Sequence, residues 1–170
     1  MLTDYKINNK AEEQGKKLVD YLKNNKQGQH SELIMDFAIH VSQNQPSLLG
    51  EVTFVEYTEE FFMAALDLKQ IEWASCFLRA MCILFPNNIK SMRFLAMFYE
   101  AKGDIFRAQE LYLEILEGTP EDSFTMKRLI SLYRNNDSVN DAISMCNKYI
   151  EINQVDEDAW SELLDIYLNR

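Results

Sequence analysis

Two histidines and a few adjacent carboxylates are the side chains in this sequence whose types could support acid–base or metal chemistry. His30 and His40 lie ten positions apart, so on one helix they would point to different sides, and neither has a Cys or His at metal-site spacing. Glu121 and Asp122 fall at a predicted helix start, where the helix dipole favours acidic residues. The sequence also lacks the glycine motifs that hold phosphate groups. It therefore predicts no enzyme, no metal site and no cofactor.

The composition favours an all-α protein and argues against several classes of partner. Hydrophobic residues make up 47% of the 170 positions, and five glycines and three prolines leave little material for a turn-rich β fold. A net charge of −10 is unfavourable for contact with a phosphate backbone. The longest apolar runs have six residues, too few to cross a bilayer, and the start MLTDYKINNK does not read as a secretory signal. We therefore expect a cytoplasmic protein with no nucleic-acid partner, no membrane span and no small-molecule substrate.

The strongest regularity in the sequence is the return of the same residue types at a fixed interval, the one that separates Ala74 from Ala108 and Ala108 from Ala142. The repeats carry an alanine, an aromatic residue and a leucine at fixed offsets, and two of them close on a proline. The residues at these structural positions are Ala74, Ala108 and Ala142; Tyr99, Tyr133 and Tyr167; Leu95, Leu129 and Leu163; Pro86 and Pro120; and Trp160. Such a period is typical of a repeat protein, in which each unit buries its apolar face only against its neighbours.

Within each period, the apolar residues follow the three- and four-residue steps of two successive helices. Gly103 can adopt the left-handed conformation that closes the first helix of its unit, and Asp104 can cap the second. Pro120 cannot continue that second helix, which should end near Gly118. Because a helix pair with this period is the tetratricopeptide pattern, we expect an all-α fold, a right-handed α-solenoid of tetratricopeptide helix hairpins.

The period divides one continuous domain into units. The units are 1–54, a divergent N-terminal helical hairpin plus linker; 55–88, repeat 1; 89–122, repeat 2; 123–156, repeat 3; and 157–170, the first helix of a truncated repeat 4. The truncated repeat favours a native chain that continues beyond Arg170. The alternative is that its exposed edge meets another chain.

The first helix of each unit lines the concave side of a tetratricopeptide solenoid, which makes this side the candidate partner-binding surface. The predicted set, called the groove residues below, comprises Met63, Leu66, Lys90, Arg93, Met97, Glu100, Phe124, Lys127, Ser131, Arg134 and Asp158. The middle of this set is basic and apolar, which predicts an acidic or amphipathic partner segment. The alternative is an ordinary solvated face.

From about residue 55 onward, the sequence resembles the family of subunit 2 of the endoplasmic reticulum membrane protein complex. The motifs that carry the resemblance are FFMAALDLKQIEWASCFLRAMCILFP, MFYEAKGDIFRAQELYLEIL and DEDAWSELLDIY, which occur in the family's order. The resemblance implies a non-catalytic scaffold, peripheral on the cytosolic face of the endoplasmic reticulum. It would organise the subunits of an insertase for tail-anchored and multipass membrane proteins. The alternative function is a free-standing adaptor for acidic or amphipathic peptide segments.

Overall fold

The computed structural model describes Glu13, Lys17, residues 30–44, Pro46, Glu51 and residues 55–168. Eight helices account for nearly all of these residues. They are α1 (Ser31–Asn44), α2 (Val55–Asp67), α3 (Ile71–Leu84), α4 (Ile89–Ala101), α5 (Ile105–Gly118), α6 (Ser123–Asn135), α7 (Val139–Ile152) and α8 (Glu157–Leu168). The all-α prediction is confirmed for this part of the chain. Most of the predicted N-terminal hairpin lies outside the described residues.

The helices repeat at the interval that the alanines indicate. The first helices of successive hairpins, α2, α4, α6 and α8, begin at this constant interval, and so do the second helices α3, α5 and α7. Each of α2, α4 and α6 has 13 residues, and each of α3, α5 and α7 has 14. By contact, the chain divides into two compact units, one with α1 to α3 and one with α4 to α8.

The same backbone turn joins the two helices of each hairpin. Lys69, Gly103 and Asp137 have φ values of 56°, 80° and 56°, and these three left-handed residues are separated by the same interval as the alanines. At Gly103, the N–H groups of Gly103 and Asp104 donate to the carbonyls of Glu100 and Tyr99 at 3.0 and 2.9 Å. This is the Schellman pattern, which satisfies the last carbonyls of a helix. The Asp104 side chain then caps α5 by accepting from the Arg107 N–H, so both predictions for this turn are confirmed.

Replacing Lys69 with glycine is expected to raise the free energy of unfolding by up to about 1 kcal/mol, because a side chain in the left-handed region costs about 1 to 2 kcal/mol and glycine avoids that strain. Urea unfolding followed by circular dichroism measures the change. The matched control is Lys102→Gly, which should lower stability instead, since Lys102 has a helical φ of −75°. An equal loss of stability at both positions would contradict the assigned turn.

Three aromatic rings form the centre of the unit that contains α1 to α3. Phe61 of α2 is fully buried, and its ring centroid lies 5.6 Å from those of Phe37 in α1 and Phe77 in α3. Trp73 stacks on Phe77 at 5.9 Å. Because one ring from each helix meets at Phe61, this residue ties α1, α2 and α3 into one core.

The structural positions of the repeats differ in how completely they are buried. The alanines Ala74, Ala108 and Ala142 are fully buried, as expected where small side chains let helices approach. Leu129, Leu163 and Tyr133 are also buried, whereas Leu95 and Tyr99 are half-buried. Pro86 and Pro120 are exposed at turns.

The last helix differs from the others at these positions. Trp160 and Tyr167 of α8 are 52% and 48% exposed, so they do not belong to the core.

Candidate functional site

The groove residues are distributed over both compact units. Met63 and Leu66 lie on α2, and Met63 is partly exposed. The other groove residues lie on α4, α6 and α8 in the second unit. Met97 of α4 is only 4% exposed, so its side chain belongs to the core. The prediction that Met97 lies on the binding surface is therefore wrong. The candidate site of the second unit is therefore formed by α4, α6 and α8.

Arg93 of α4 is held by the carboxylate at the end of its own repeat, immediately before α6. Its Nε donates to Asp122 Oδ2 at 3.0 Å, and its Nη2 donates to the other carboxylate oxygen. This two-pronged geometry is the strong form of an Arg–carboxylate pair. Asp122 precedes α6, is buried, and also accepts from the hydroxyl of the buried Thr125. The pair therefore joins α4 to the beginning of α6.

The same connection recurs one repeat later. Lys127 of α6 occupies the position equivalent to Arg93, and its Nζ donates to Asp156 Oδ2 at 2.8 Å. The Tyr149 hydroxyl donates to the same oxygen at 2.7 Å. Asp156 immediately precedes α8, and its other oxygen accepts from the Ala159 N–H at 3.3 Å. A basic residue near the start of one repeat thus contacts the carboxylate that ends the same repeat, immediately before the first helix of the next.

A second type of ion pair occurs twice with its charges exchanged. Arg128 of α6 donates to Glu100 Oε2 of α4 at 2.8 Å, and the Tyr112 hydroxyl donates to the same oxygen at 3.0 Å. One repeat further on, Arg134 of α6 donates to Glu162 Oε1 of α8 at 2.8 Å. The acidic and basic partners have changed places, but the positions are equivalent. The ion pair between repeats is therefore retained, whereas the sign of the charge at each position is not.

These ion pairs change the electrostatic interpretation of the groove. Arg93, Lys127 and Arg134, which make the predicted surface basic, each contact a carboxylate further along the chain. Much of the positive charge is consequently balanced within the chain. The role of the partners Asp122, Asp156, Arg128 and Glu162 was not predicted from the sequence. The signal that could have found them is the spacing of 29 residues in two pairs and 28 in the other two.

The carboxylate of Asp156 should make stability depend on pH. Hydrogen bonds from Lys127 and Tyr149 lower the pKa of Asp156 to about 2. Because the folded pKa lies below its ordinary value near 3.8, this stabilisation is complete above that value and is lost as the pH falls towards 2. In urea unfolding between pH 6 and pH 2.5, Asp156→Asn should therefore weaken the chain most at pH 6, and the difference should shrink in acid. Asp158→Asn, two residues further along the chain, is the control, and an Asp156 effect independent of pH would contradict the assignment.

Apolar and polar side chains of the groove remain exposed between the ion pairs. Phe124 is 44% exposed, with the Arg93 guanidinium 5.5 Å from its ring centroid. Lys90, Ser131 and Asp158 are exposed as well. In the described part of the chain, no group of three His, Cys, Asp or Glu side chains is placed to hold a metal ion. No helix among these residues has the length and apolar character to cross a membrane.

Helix hairpins that recur at a constant interval, close with the same turn and are joined by paired side chains define a tetratricopeptide-type repeat protein. A model of the EMC2 TPR-like repeat domain family matches residues 73–170, and the chain belongs to this family. The resemblance inferred from the sequence motifs is thereby confirmed.

Several relatives are subunits of the ER membrane protein complex. The chain is 30% identical to ER membrane protein complex subunit 2-B of Xenopus laevis over 123 residues, which are 72% of this chain and 41% of the relative. It is 29% identical to subunit 2 of Xenopus tropicalis over the same shares. Against subunit 2 of Dictyostelium discoideum it is 25% identical over 83 residues, 49% of this chain and 26% of the relative. The chain thus spans about 41% of the length of the Xenopus relatives.

Proposed function

We propose that this chain is a non-catalytic scaffold subunit of an ER membrane protein complex. The observation that carries the proposal is its membership of the EMC2 TPR-like repeat domain family over residues 73–170. The ion pairs of Arg93, Lys127, Arg128 and Arg134 suit a scaffold, because they favour one fixed arrangement of α4, α6 and α8. A surface held in this way can bind several segments without first being ordered.

The finer proposal concerns location and partners. The scaffold lies at the cytosolic face of the endoplasmic reticulum and organises other subunits of an insertase for tail-anchored and multipass membrane proteins. The exposed groove residues, Phe124 in particular, contact the cytosolic segments of those subunits. An exposed aromatic ring beside polar side chains is the kind of anchor that such an interface uses.

A free-standing adaptor for acidic peptides has less support. Its affinity would depend on basic side chains in the groove, but Arg93, Lys127 and Arg134 already contact carboxylates of this chain. An acidic peptide would have to compete with those partners. The scaffold function does not require these ion pairs to be displaced.

Affinity purification from membranes of the source cells in a mild detergent tests the proposal. We expect the tagged chain to recover integral membrane subunits of one complex, identified by mass spectrometry. Recovery of soluble chaperones alone would contradict it. A tagged tetratricopeptide domain from another family controls for nonspecific capture.

Two phenylalanine variants test the groove as the contact surface. Phe124→Ser removes an exposed ring of the groove, and Phe106→Ser removes a 70% exposed ring of α5, which is outside the groove set. We expect the Phe124 variant to recover less of the membrane subunits, and the Phe106 variant to match the original chain. Equal recovery by both variants would show that the contact surface lies outside the groove, but it would not contradict the scaffold function.

A further inference from the structure

A cleft of about 440 Å³ lies between α5 and α7, the second helices of repeats 2 and 3. Its lining includes the apolar residues Leu113, Leu116, Met126 and Met145 and the charged residues Glu117 and Lys148. Leu113 is 37% exposed and Leu116 is half-buried, so solvent reaches both, whereas the two methionines are buried. These six residues, which we call the α5–α7 cleft, include none of the groove residues.

The exposed leucine of the cleft is not a requirement of the repeat. The residues equivalent to Leu113 in the preceding and following repeats are Arg79 and Asn147, and both are exposed. A polar side chain therefore suits this position in the other two hairpins. An apolar residue here leaves hydrophobic surface in contact with water without supporting the fold, which is typical of a binding surface.

Carboxylates surround the cleft and outnumber basic side chains. Glu110, Glu114 and Glu117 are exposed on α5, and their spacing of four and three residues places them along one side of the helix. Within the part of the chain that the structure describes, none of the three forms an ion pair. The exposed acidic residues of α7 likewise outnumber its single basic residue, Lys148. An apolar cleft is thus bordered by uncompensated negative charge.

These charges determine which occupant the cleft suits. An amphipathic helix places its apolar side chains in a hydrophobic groove and its polar side chains at the border. Lysine or arginine at those border positions would be complementary to the carboxylates of α5. A second copy of this chain, whose net charge is −10, would instead bring like charges together.

We propose that the α5–α7 cleft docks a basic amphipathic helix of another subunit. The inference rests on the proposed scaffold function, because a scaffold that organises several subunits needs more than one contact surface. It adds a second surface, on the second helices of the hairpins, to the groove formed by the first helices.

Methyl resonances of methionine provide a direct test with the 170-residue chain. Met126 and Met145 line the cleft, and the buried Met35 and Met81 of the other compact unit serve as internal references. The chain is labelled with ¹³C at the methionine methyl groups, and each signal is assigned by substitution with leucine.

Three synthetic peptides of about 18 residues, long enough to form an isolated helix, are the probes. The lysine peptide carries leucines on one helical face and lysines beside them. The glutamate peptide has glutamates in place of the lysines, and the serine peptide keeps the lysines but replaces the leucines with serines. The lysine peptide should shift the Met145 signal with a Kd below about 100 µM, and each of the other two should bind at least about tenfold more weakly.

Matched substitutions locate the binding site. Leu113→Gln should weaken the lysine peptide at least about fivefold, whereas Ile83→Gln, at a 74% exposed aliphatic residue of α3, should leave the Kd within about twofold. Glu117→Lys should weaken it at least about threefold, whereas the same change at the exposed Glu72 of α3 should have less than about a twofold effect. The methyl spectrum confirms that each variant is folded.

Two results of the titration would overturn the inference. The first is the absence of methyl shifts with the lysine peptide up to about 1 mM. The second is equal binding of the lysine and serine peptides, which would leave only nonspecific attraction between opposite charges.

A cleft already occupied in the free chain would also overturn it. Nuclear Overhauser effects from the Met145 methyl group to residues outside α5, α6 and α7 would make another segment of this chain the occupant. A Met145 signal that moves with protein concentration, and does not move in Leu113→Gln, would make the occupant a second copy. If no peptide binds but the unchanged chain still recovers membrane subunits, the docking inference fails while the scaffold function stands.

Discussion

Replacing Tyr112 with alanine is expected to lower the free energy of unfolding by about 3 to 5 kcal/mol, the range for removing a large buried aromatic side chain. Tyr112 of α5 is fully buried. Its hydroxyl donates to Glu100, and Arg128 Nε donates to the hydroxyl oxygen at 3.4 Å. Burial raises the pKa of Tyr112, so the hydroxyl stays protonated and keeps its donor role. The substitution would therefore create a cavity and remove one member of the contact between α4, α5 and α6.

Tyr112→Phe separates these two effects. The ring remains, and the pair between Glu100 and Arg128 keeps its direct 2.8 Å hydrogen bond, so the expected loss is only about 1 kcal/mol. Urea unfolding followed by circular dichroism measures both variants. A loss for Tyr112→Ala no larger than that for Tyr112→Phe would show that the ring is not packed in the core.

Replacing Phe61 with alanine should also lower the free energy of unfolding by about 3 to 5 kcal/mol, because it removes the ring at the centre of the other compact unit. Phe61 contacts rings from both neighbouring helices, so its loss leaves Phe37 and Phe77 without their shared aromatic partner. Trp73 stacks on Phe77 and reports on the same core. Its emission in a Trp160→Phe background follows unfolding of this unit.

Ile83→Ala is the matched control for Phe61→Ala. Ile83 is 74% exposed on α3, and its truncation should change stability by no more than about 0.5 kcal/mol. If both substitutions have the same small effect, Phe61 cannot lie at the centre of the core.

The repeating apolar positions made the helices predictable from the sequence. Ala74, Ala108 and Ala142 identified the period because a helix crossing tolerates only a small side chain at that position. Gly103 identified one turn because glycine readily adopts positive φ. Lys69 and Asp137 make the same turn without glycine, so sequence alone could not locate the left-handed residue there.

The candidate site was less predictable because its chemistry depends on contacts between repeats. The positive charge of Arg93 was predicted correctly, but the sequence spacing alone did not reveal that Asp122, 29 residues further on, would contact it. Met97 had the right position for a surface residue and a side chain equally suited to the core, where the structure places it. The exchange of signs between the Glu100–Arg128 and Arg134–Glu162 pairs hides their equivalence from a search for repeated residue types.

Exchanging the charges of Glu100 and Arg128 tests most directly whether paired side chains join neighbouring repeats. Each single reversal, Glu100→Arg or Arg128→Glu, places like charges together and should destabilise the chain. The double variant reproduces the arrangement of Arg134 and Glu162 and should recover most of the loss. We predict a coupling free energy of about 1 kcal/mol or more from the double-mutant cycle in urea. A coupling free energy near zero, in which the stability losses of the two single variants simply add, would contradict the claim that paired side chains join neighbouring repeats.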